Sequence, residues 1–368
     1  MLRTASSSVQ RNSRMNKLLS VIVPCYNMEA CVASCLDTIV GDERVEVIAV
    51  NDGSRDSTLS IIEQYVLKYP DTCKAVDKPN GNYGSAINAG LKVSTGKYVR
   101  ILDADDCFIG SGLIQFLDIL EKSEDCDIVL SPFIQVGNRE ERIWFGKYGK
   151  TPFITNQVLQ FDEILAKRHI EYLMMHTVTY RRSLLHEINY RQTEGISYTD
   201  QEWVFYPLFH LKTIMFTNTF IYRYTLGREG QTMDAKVLAK SIGQLMRVTE
   251  NMCEYTARNI ELKSISAERR NFLLSQISHR MSVILRILLF DMDDTTFGEC
   301  EFTQILSTLR QWSARLHISK INVVVNPILR FDLLRYWEKH NRRPRKAILG
   351  FMRRCDALMK RVYSLIFR

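Results

Sequence analysis

Apolar residues follow two rhythms along this chain. In the first hundred residues, short and nearly continuous apolar runs alternate with amphipathic stretches. Leu19 to Val23 is a β-branched run stopped by Pro24, Val45 to Val50 is a second, and Tyr98 to Leu102 is another. Between them, residues 28–40, 57–68 and 84–93 carry helical spacing. Continuous apolar strands separated by helices predict a buried, mostly parallel sheet in an α/β fold. Asp127 to Ile134 reads as a further strand. After residue 150 the pattern is mixed, with a helix over 200–210 and one or two strands over 213–224. From about residue 235 the spacing is that of long helices, and Asn322 to Val325 is the one strand-like run. The expected division is therefore a polar tail at 1–17, an α/β domain at 18–234, a mainly helical region at 235–340 and a separate tail at 341–368.

Open parallel sheets bind ligands beyond the carboxyl ends of their strands. The polar residues of this sequence collect at those ends. The first strand runs into Pro24-Cys25-Tyr26-Asn27-Met28-Glu29 and the second into Asn51-Asp52-Gly53-Ser54-Arg55-Asp56. Residues 98–102 run into Asp103-Ala104-Asp105-Asp106. Any one of these could be turn chemistry, since Asp, Asn, Gly and Ser favour turns and helix caps, and Asp56 or Ser57 is placed to cap the next helix. Three on successive strand ends point to a ligand. Three carboxylates within four residues repel unless a cation or donors compensate. Hard divalent cations take carboxylate oxygens and share them with phosphate, so the acidic turn predicts a metal–diphosphate site. The segment Asn80-Gly81-Asn82-Tyr83-Gly84-Ser85 precedes a helix, where glycines allow close backbone approach and the helix start offers donors to phosphate.

The order V-I-V-P-C-Y-N-M-E, N-D-G-S-R-D, N-G-N-Y-G-S-A-I-N-A-G-L and G-K-Y-V-R-I-L-D-A-D-D resembles the family-2 glycosyltransferases. The resemblance continues to Thr199-Asp200-Gln201-Glu202-Trp203, Tyr222-Arg223-Tyr224 and Gly230-Gln231-Thr232, covering roughly residues 18–235. It implies a GT-A-type nucleotide-sugar-binding domain. In that family's terms Pro24, Tyr26 and Glu29 line the nucleotide pocket with Asn80 and Gly81, and Asp52 contacts the base. Asp103 faces the ribose or diphosphate, Asp105 holds Mn2+ or Mg2+, and Asp200 is the catalytic base. Thr199 stands where the family usually has an acid before the base. The Q-x-x-R-W pattern of processive synthases is absent, which implies one sugar added per encounter. The implied reaction is inverting transfer from a nucleotide sugar, expected to be a UDP-sugar, to a hydroxyl of a glycan or lipid-linked acceptor in cell-surface polysaccharide synthesis. A non-catalytic nucleotide-binding or scaffold role for such a domain is the alternative, and intact Asp105 and Asp200 count against it. Acceptor choice is expected to lie in residues 136–160 and 181–198. His169, His176, His186 and His210 read as packing or surface residues.

Leu289-Phe290-Asp291-Met292-Asp293-Asp294-Thr295 imitates a phosphatase D-x-D-x-T motif, but it follows a long helical pattern and reads as a helix end. The apolar content of 46% is ample for a full core. No run of 18 apolar residues occurs, so no membrane-crossing helix is expected. The first 17 residues lack the apolar stretch of a secretory signal and read as a disordered tail, with Met15 an alternative start. Nine cysteines without a C-x-x-C pair suit reduced thiols in a cytoplasmic protein.

The net charge of +8 is uneven. Residues 341–368 hold nine Lys or Arg against Asp356, a balance of +8, and the remaining 340 residues hold 40 of each sign. Within 345–368, Ile348, Met352, Cys355, Met359, Val362 and Ile366 recur at helical steps, with Leu349, Phe351 and Leu358 widening the stripe. Such a basic amphipathic segment is expected to rest on an anionic membrane surface, at the inner face of the plasma membrane. No recognisable nucleic-acid motif accompanies it, so no specific nucleic-acid partner is expected.

Overall fold

The computed structural model describes residues 17–137, 141–144, 155–167, 170, 173–226, 235–260, 265–292, 298–318, 321, 324–325, 331–340, 342–344, 348–352 and 354–355. The expected N-terminal tail, and most of the basic tail, lie outside these residues.

Eight strands form the main sheet in the order β3 (Cys73–Lys78), β2 (Val45–Asp52), β1 (Leu19–Cys25), β4 (Tyr98–Ile101), β10 (Val178–Arg181), β6 (Ile128–Leu130), β11 (Thr213–Phe216) and β9 (Val158–Gln160). Strands β3, β2, β1, β4, β6 and β11 run one way, and β10 and β9 run against them. Helices α1 (Val32–Leu36), α2 (Thr58–Lys68) and α3 (Asn82–Val93) make the crossovers of the parallel half. The expected strand 127–134 divides into β6 and β7 (Phe133–Val136). A second sheet, β5 (Cys107–Phe108), β12 (Tyr222–Thr225), β7 and β8 (Glu141–Trp144), flanks the acidic turn. Helices α4 (Gly110–Lys122), α5 (Phe161–Ala166), α6 (Arg182–Glu187) and α7 (Asp200–Phe205) complete this half, with a 3-10 turn at Tyr206–Phe209.

Two expectations at the sheet ends are corrected. Pro24 does not stop β1, which continues to Cys25 in register with β2. Pairing with β4 ends at Ile22–Ile101, so Pro24 lies beyond that neighbour and its missing N–H interrupts no ladder bond there. The helix expected over 28–40 spans only Val32–Leu36. Residues 27–29 are instead bonded to the loop after β2: Asn27 N to Ser54 Oγ, Met28 N to Thr58 Oγ1 and Glu29 N to Asp56 Oδ2.

The C-terminal part is helical: α8 (Ala235–Lys240), α9 (Ile242–Asn259), α10 (Ala267–Arg286), α11 (Glu299–Arg315) and α12 (Leu333–His340), with a small hairpin of β13 (Val324–Val325) and β14 (Phe331–Asp332). The D-x-D imitation begins in a π-helical turn, Ile287–Asp291, that ends α10. Arg343 donates to the carbonyls of Leu289 and Met292 there. One apolar cluster runs from Ile22 and Ile48 in the sheet through Trp203 and Phe205 to Leu245, Met281 and Phe302 in the helices. Contrary to the sequence expectation, Ala267–Asp291 is long and apolar enough to cross a membrane. Leu273, Ile277, Met281, Ile284 and Leu285 of that stretch are fully buried in the shared core, which accounts for its apolarity.

Strand β2 is buried along its whole length, and Glu46 is its one charged member outside the ligand rim. Its carboxylate accepts bonds from Ser20 Oγ (2.6 Å), Lys74 Nζ and the Thr95 N–H. Burial alone would raise its pKa, but these donors hold it below the ordinary value. The folded pKa is thus lower than the unfolded one. The resulting stability is present above the unfolded pKa and is lost as pH falls through the folded one. Glu46→Ala is expected to cost about 2–4 kcal/mol by orphaning buried donors. Urea melts at neutral and acidic pH check this, and the difference between wild type and variant should shrink on acidification.

Candidate active site

The strand order 3-2-1-4 places the topological switch between β1 and β4, whose carboxyl ends are neighbours. The turn after β4 carries the three acids. Asp106 is buried and accepts bonds from Tyr222 Oη and the Thr225 N–H, both at 2.7 Å. These bonds tie β12 to the turn. Asp103 accepts a 2.9 Å bond from Tyr83 Oη, and its own N–H donates to Tyr222 Oη. Asp105, expected to hold the metal, is half-buried, and the close group of possible ligand atoms contains Asp103 and Asp106 rather than Asp105.

Burial and crowding govern the protonation of this turn. Burial first, then the charges of Asp105 and Asp200, push Asp103 up to about 7 against the Tyr83 hydroxyl. Burial, then Asp103, pushes Asp106 up to about 8. His176 comes from the 3-10 turn before β10 and packs among Phe133, Tyr222 and Tyr224. Burial, then the Arg100 guanidinium, lowers it to about 3, so the imidazole is neutral. Its Nδ1 is buried without a hydrogen-bond partner. Ligand atoms of Asp103, Asp106 and His176 all lie within 4.8 Å of one another. Carboxylates that resist ionisation alone, beside a neutral imidazole with an orphaned nitrogen, are a donor set that fits a divalent cation.

Asp200, expected as the base, begins α7 and belongs to the same site. Asp103, Tyr83 and Tyr224 all feel its charge. Gln201 Nε2 donates to its Oδ2 at 2.8 Å. Burial raises its pKa, and the Arg280 guanidinium on α10 opposes the rise. Thr199 takes the N-cap position, and its hydroxyl bonds Gln192 rather than the helix end. Tyr198 just before it has φ +65°, an uncommon conformation for a bulky side chain. It is held on both sides: Ser241 bonds its hydroxyl, and the Ser197 N–H donates to Gln244 Oε1.

The expected nucleotide residues line the neighbouring rim. Asp52 is buried, with Lys78 Nζ at 2.6 Å and the Gly81 N–H at 3.0 Å on one oxygen. Asn80 Nδ2 donates to the Asp52 carbonyl. Gly53, at φ +71°, lies so close to Asn80 N that a Cβ would sit 2.7 Å away. Pro24 is half-buried at the end of β1, and Tyr26 is 42% exposed beyond it. Glu29 is exposed, but one carboxylate oxygen accepts the Ser57 N–H at the start of α2. Asp56, rather than Ser57, supplies the capping carboxylate, accepting from the Thr58 N–H.

Segment 188–199 forms a strap across this site. The Gly195 N–H donates to the Gly81 carbonyl, and Asn88 on α3 exchanges bonds with both backbone groups of Gln192. Glu202, fully buried, accepts the Thr193 N–H and hydroxyl, and Asn251 on α9 donates to both Glu202 and Thr193.

With this geometry established, comparison with known proteins is direct. The description "Glycosyl transferase family 2" matches residues 20–188. This stretch is a family-2 glycosyltransferase domain. Asp200 lies beyond the matched stretch. The chain is similar to the minor teichoic acid biosynthesis protein GgaB of Bacillus subtilis, 35% identical over 141 residues, which is 36% of this chain and 15% of that protein. It is also similar to the poly(ribitol-phosphate) beta-glucosyltransferase of Bacillus spizizenii, 32% identical over 126 residues, covering 33% and 20%. The uncharacterized glycosyltransferase YibD of Escherichia coli is 26% identical over 214 residues, covering 56% and 61%. The chain thus spans between 15% and 61% of the length of these curated relatives. Among solved structures, S. aureus TarS 1–349 in complex with UDP-GlcNAc superposes with a TM-score of 0.50 at 20% identity, covering 82% of this chain and 89% of that one. The likeness is one of fold, a GT-A-type α/β domain with helices after it.

The site also gathers residues to which its sequence motifs give no role. Tyr83 bridges toward both acid groups, His176 joins the turn from 70 residues away, and Arg280 reaches Asp200 from the helical region. Tyr83 lay inside a motif already noted, whereas nothing local marks His176 or Arg280. Gly84 is where α3 meets the strap, since a Cβ there would lie 2.1 Å from the Thr193 carbonyl. Gly84→Ala is expected to push the strap away at a cost of about 1–3 kcal/mol. A thermal melt should show a lower midpoint, whereas Gly195→Ala meets no atom within 4 Å and is strained only by its backbone.

Proposed function

We propose that the chain is a metal-dependent inverting glycosyltransferase. In this reading it moves one sugar from a nucleotide sugar, a UDP-sugar by preference, to a hydroxyl of a glycan or lipid-linked acceptor of a cell-surface polymer. The observation that carries the reading is the convergence of the acidic turn and Asp200 on one rim of the sheet, within electrostatic reach of each other. The cell-wall names of two curated relatives support the polymer class, and the UDP-GlcNAc complex of TarS supports the donor class.

Asp103, Asp105, Asp106 and His176 are the residues that would hold Mn2+ or Mg2+. When bound, the cation offsets the charge that grows on the departing diphosphate. The chain's own residues do the rest. Asp52 fixes the Asn80–Gly81 loop, and the backbone at the start of α3 faces the phosphates. Asp200 accepts the acceptor hydroxyl's proton as the oxygen attacks the anomeric carbon from the face opposite the leaving group. Burial raises the pKa of Asp200, which makes it a better base than a free carboxylate, and Arg280 opposes that rise.

Asp200→Asn is expected to lower transfer by ~10^2–10^4 while UDP affinity with Mn2+ is retained. Asp105→Asn should lose both transfer and metal-dependent UDP affinity. Full turnover in EDTA would refute metal dependence, and loss of folding in the Asp200 variant would make that residue structural.

We further propose that residues 345–368 rest on an anionic membrane, which would hold the enzyme at the inner face of the plasma membrane near a lipid-linked acceptor. Among the described residues of this segment, Leu349 and Met352 are buried against the helices, while Ile348 and Phe351 are 39% and 54% exposed. The stripe is therefore shared between the core and the outside. Co-sedimentation with phosphatidylglycerol vesicles should weaken in Phe351→Asp and at high salt. Equal binding to neutral vesicles would exclude the idea.

A further inference from the structure

A cleft of about 640 Å³ lies on the far side of the strap, between residues 188–194 and α9. None of the motif residues lines it. Its floor is one face of α9, where Arg247, Asn251, Tyr255 and Arg258 recur at steps of four, four and three residues. Eleven residues of helix place the two arginines about 16 Å apart along the axis. Tyr255 stacks on Tyr206 with ring centroids 4.4 Å apart, and its hydroxyl bonds His210. Arg191 stands on the opposite wall.

The chemistry of this lining is specific. Planar guanidinium and amide groups beside tyrosines suit hydroxyl-rich chains, whose polar edges bond and whose C–H faces pack on rings. Arginines add bidentate recognition of phosphate or carboxylate. Arg258 pairs with Glu254 at 3.1 Å and Arg191 with Glu194 at 2.7 Å, but all four side chains are at least 40% exposed. Exposed pairs are weak, so an incoming anion can replace the carboxylate. Arg247 is exposed, and no ion pair holds it among the described residues. The same strap is bonded to Gly81 and α3, and Thr193 and Asn251 of the cleft bond Glu202, two residues after Asp200.

We propose that this cleft binds the non-reacting part of the acceptor, a sugar or polyol chain with anionic groups spaced along it. The anions lie on Arg247 and Arg258, and the hydroxylated units between them cross Asn251 and Tyr255. This rests on the transferase reading above for the word acceptor, but the cleft's affinity can be measured without turnover.

The full chain is titrated with three probes: a glycerol-phosphate tetramer, tetragalacturonate and the neutral cellotetraose. At least one anionic probe should bind more tightly than cellotetraose, and which one identifies phosphate or carboxylate as the anion. Arg247→Glu should weaken that binding by about tenfold or more while UDP affinity and thermal midpoint stay unchanged. Arg258→Ala should act in the same direction. If neither anionic probe binds the wild type, if cellotetraose binds equally well, or if both variants retain full affinity, the proposal fails. UDP-sugar hydrolysis measured on the same samples separates the two readings. Probe binding without hydrolysis would sink the transferase function and leave the cleft, and hydrolysis without probe binding would do the reverse.

Discussion

Four carboxylates gathered at one end of a buried sheet repel one another, and much of the surrounding structure exists to contain that repulsion. In a medium poorer in water than the surface, the interaction of like charges a few ångströms apart is strong. Tyr222 and the Thr225 backbone hold Asp106, Tyr83 holds Asp103, and Gln201 and Arg280 hold Asp200. These holders come from four elements: β12, α3, α7 and α10. The second sheet, small as it is, therefore has a clear purpose. It brings Tyr222 and the Thr225 N–H to Asp106, the two donors that hold that carboxylate. His176 adds a neutral nitrogen rather than another charge, so it does not worsen the crowding.

The Asn80–Gly81 loop and Asp200 are joined through the strap at 188–199. It is fastened to Gly81 and α3, and to Glu202 and α9. The left-handed Tyr198 sits where the strap turns into α7, and its conformation is sustained by Ser241 and Gln244 rather than by local preference. The position of Asp200 is thus fixed by contacts that begin more than forty residues downstream in the chain.

Much of the parallel half was legible. Strands β1, β2 and β4 and helices α2 and α3 fall on the apolar runs and helical spacings, because buried parallel strands must be apolar on both faces. Strand β3 was not seen, since Cys73–Lys78 is an edge strand whose residues are mostly exposed and polar. Strand β10 is four residues long and gains its identity only from pairing with β4 and β6. Helix α4 was passed over although Leu113, Phe116, Leu117 and Leu120 have clear helical spacing. At the site, the acidic turn and the glycine loop announced themselves because their chemistry is local in sequence. Glu29 was read as a pocket residue, but its bond to Ser57 could be known only once two loops were seen side by side. His176 and Arg280 are single residues far along the chain, and only packing brings them to the acids.

The continuous core from the sheet into α9, α10 and α11 bears on how such a protein can diversify. Modules that fold alone can be exchanged by recombination at their linkers. Here Asp200 is held by Arg280, and the strap before it by Ser241, Gln244 and Asn251, so a crossover near residue 234 would separate Asp200 from its supports. Residues 20–188 and the helices after them share one apolar core, so an exchange at that boundary would open it.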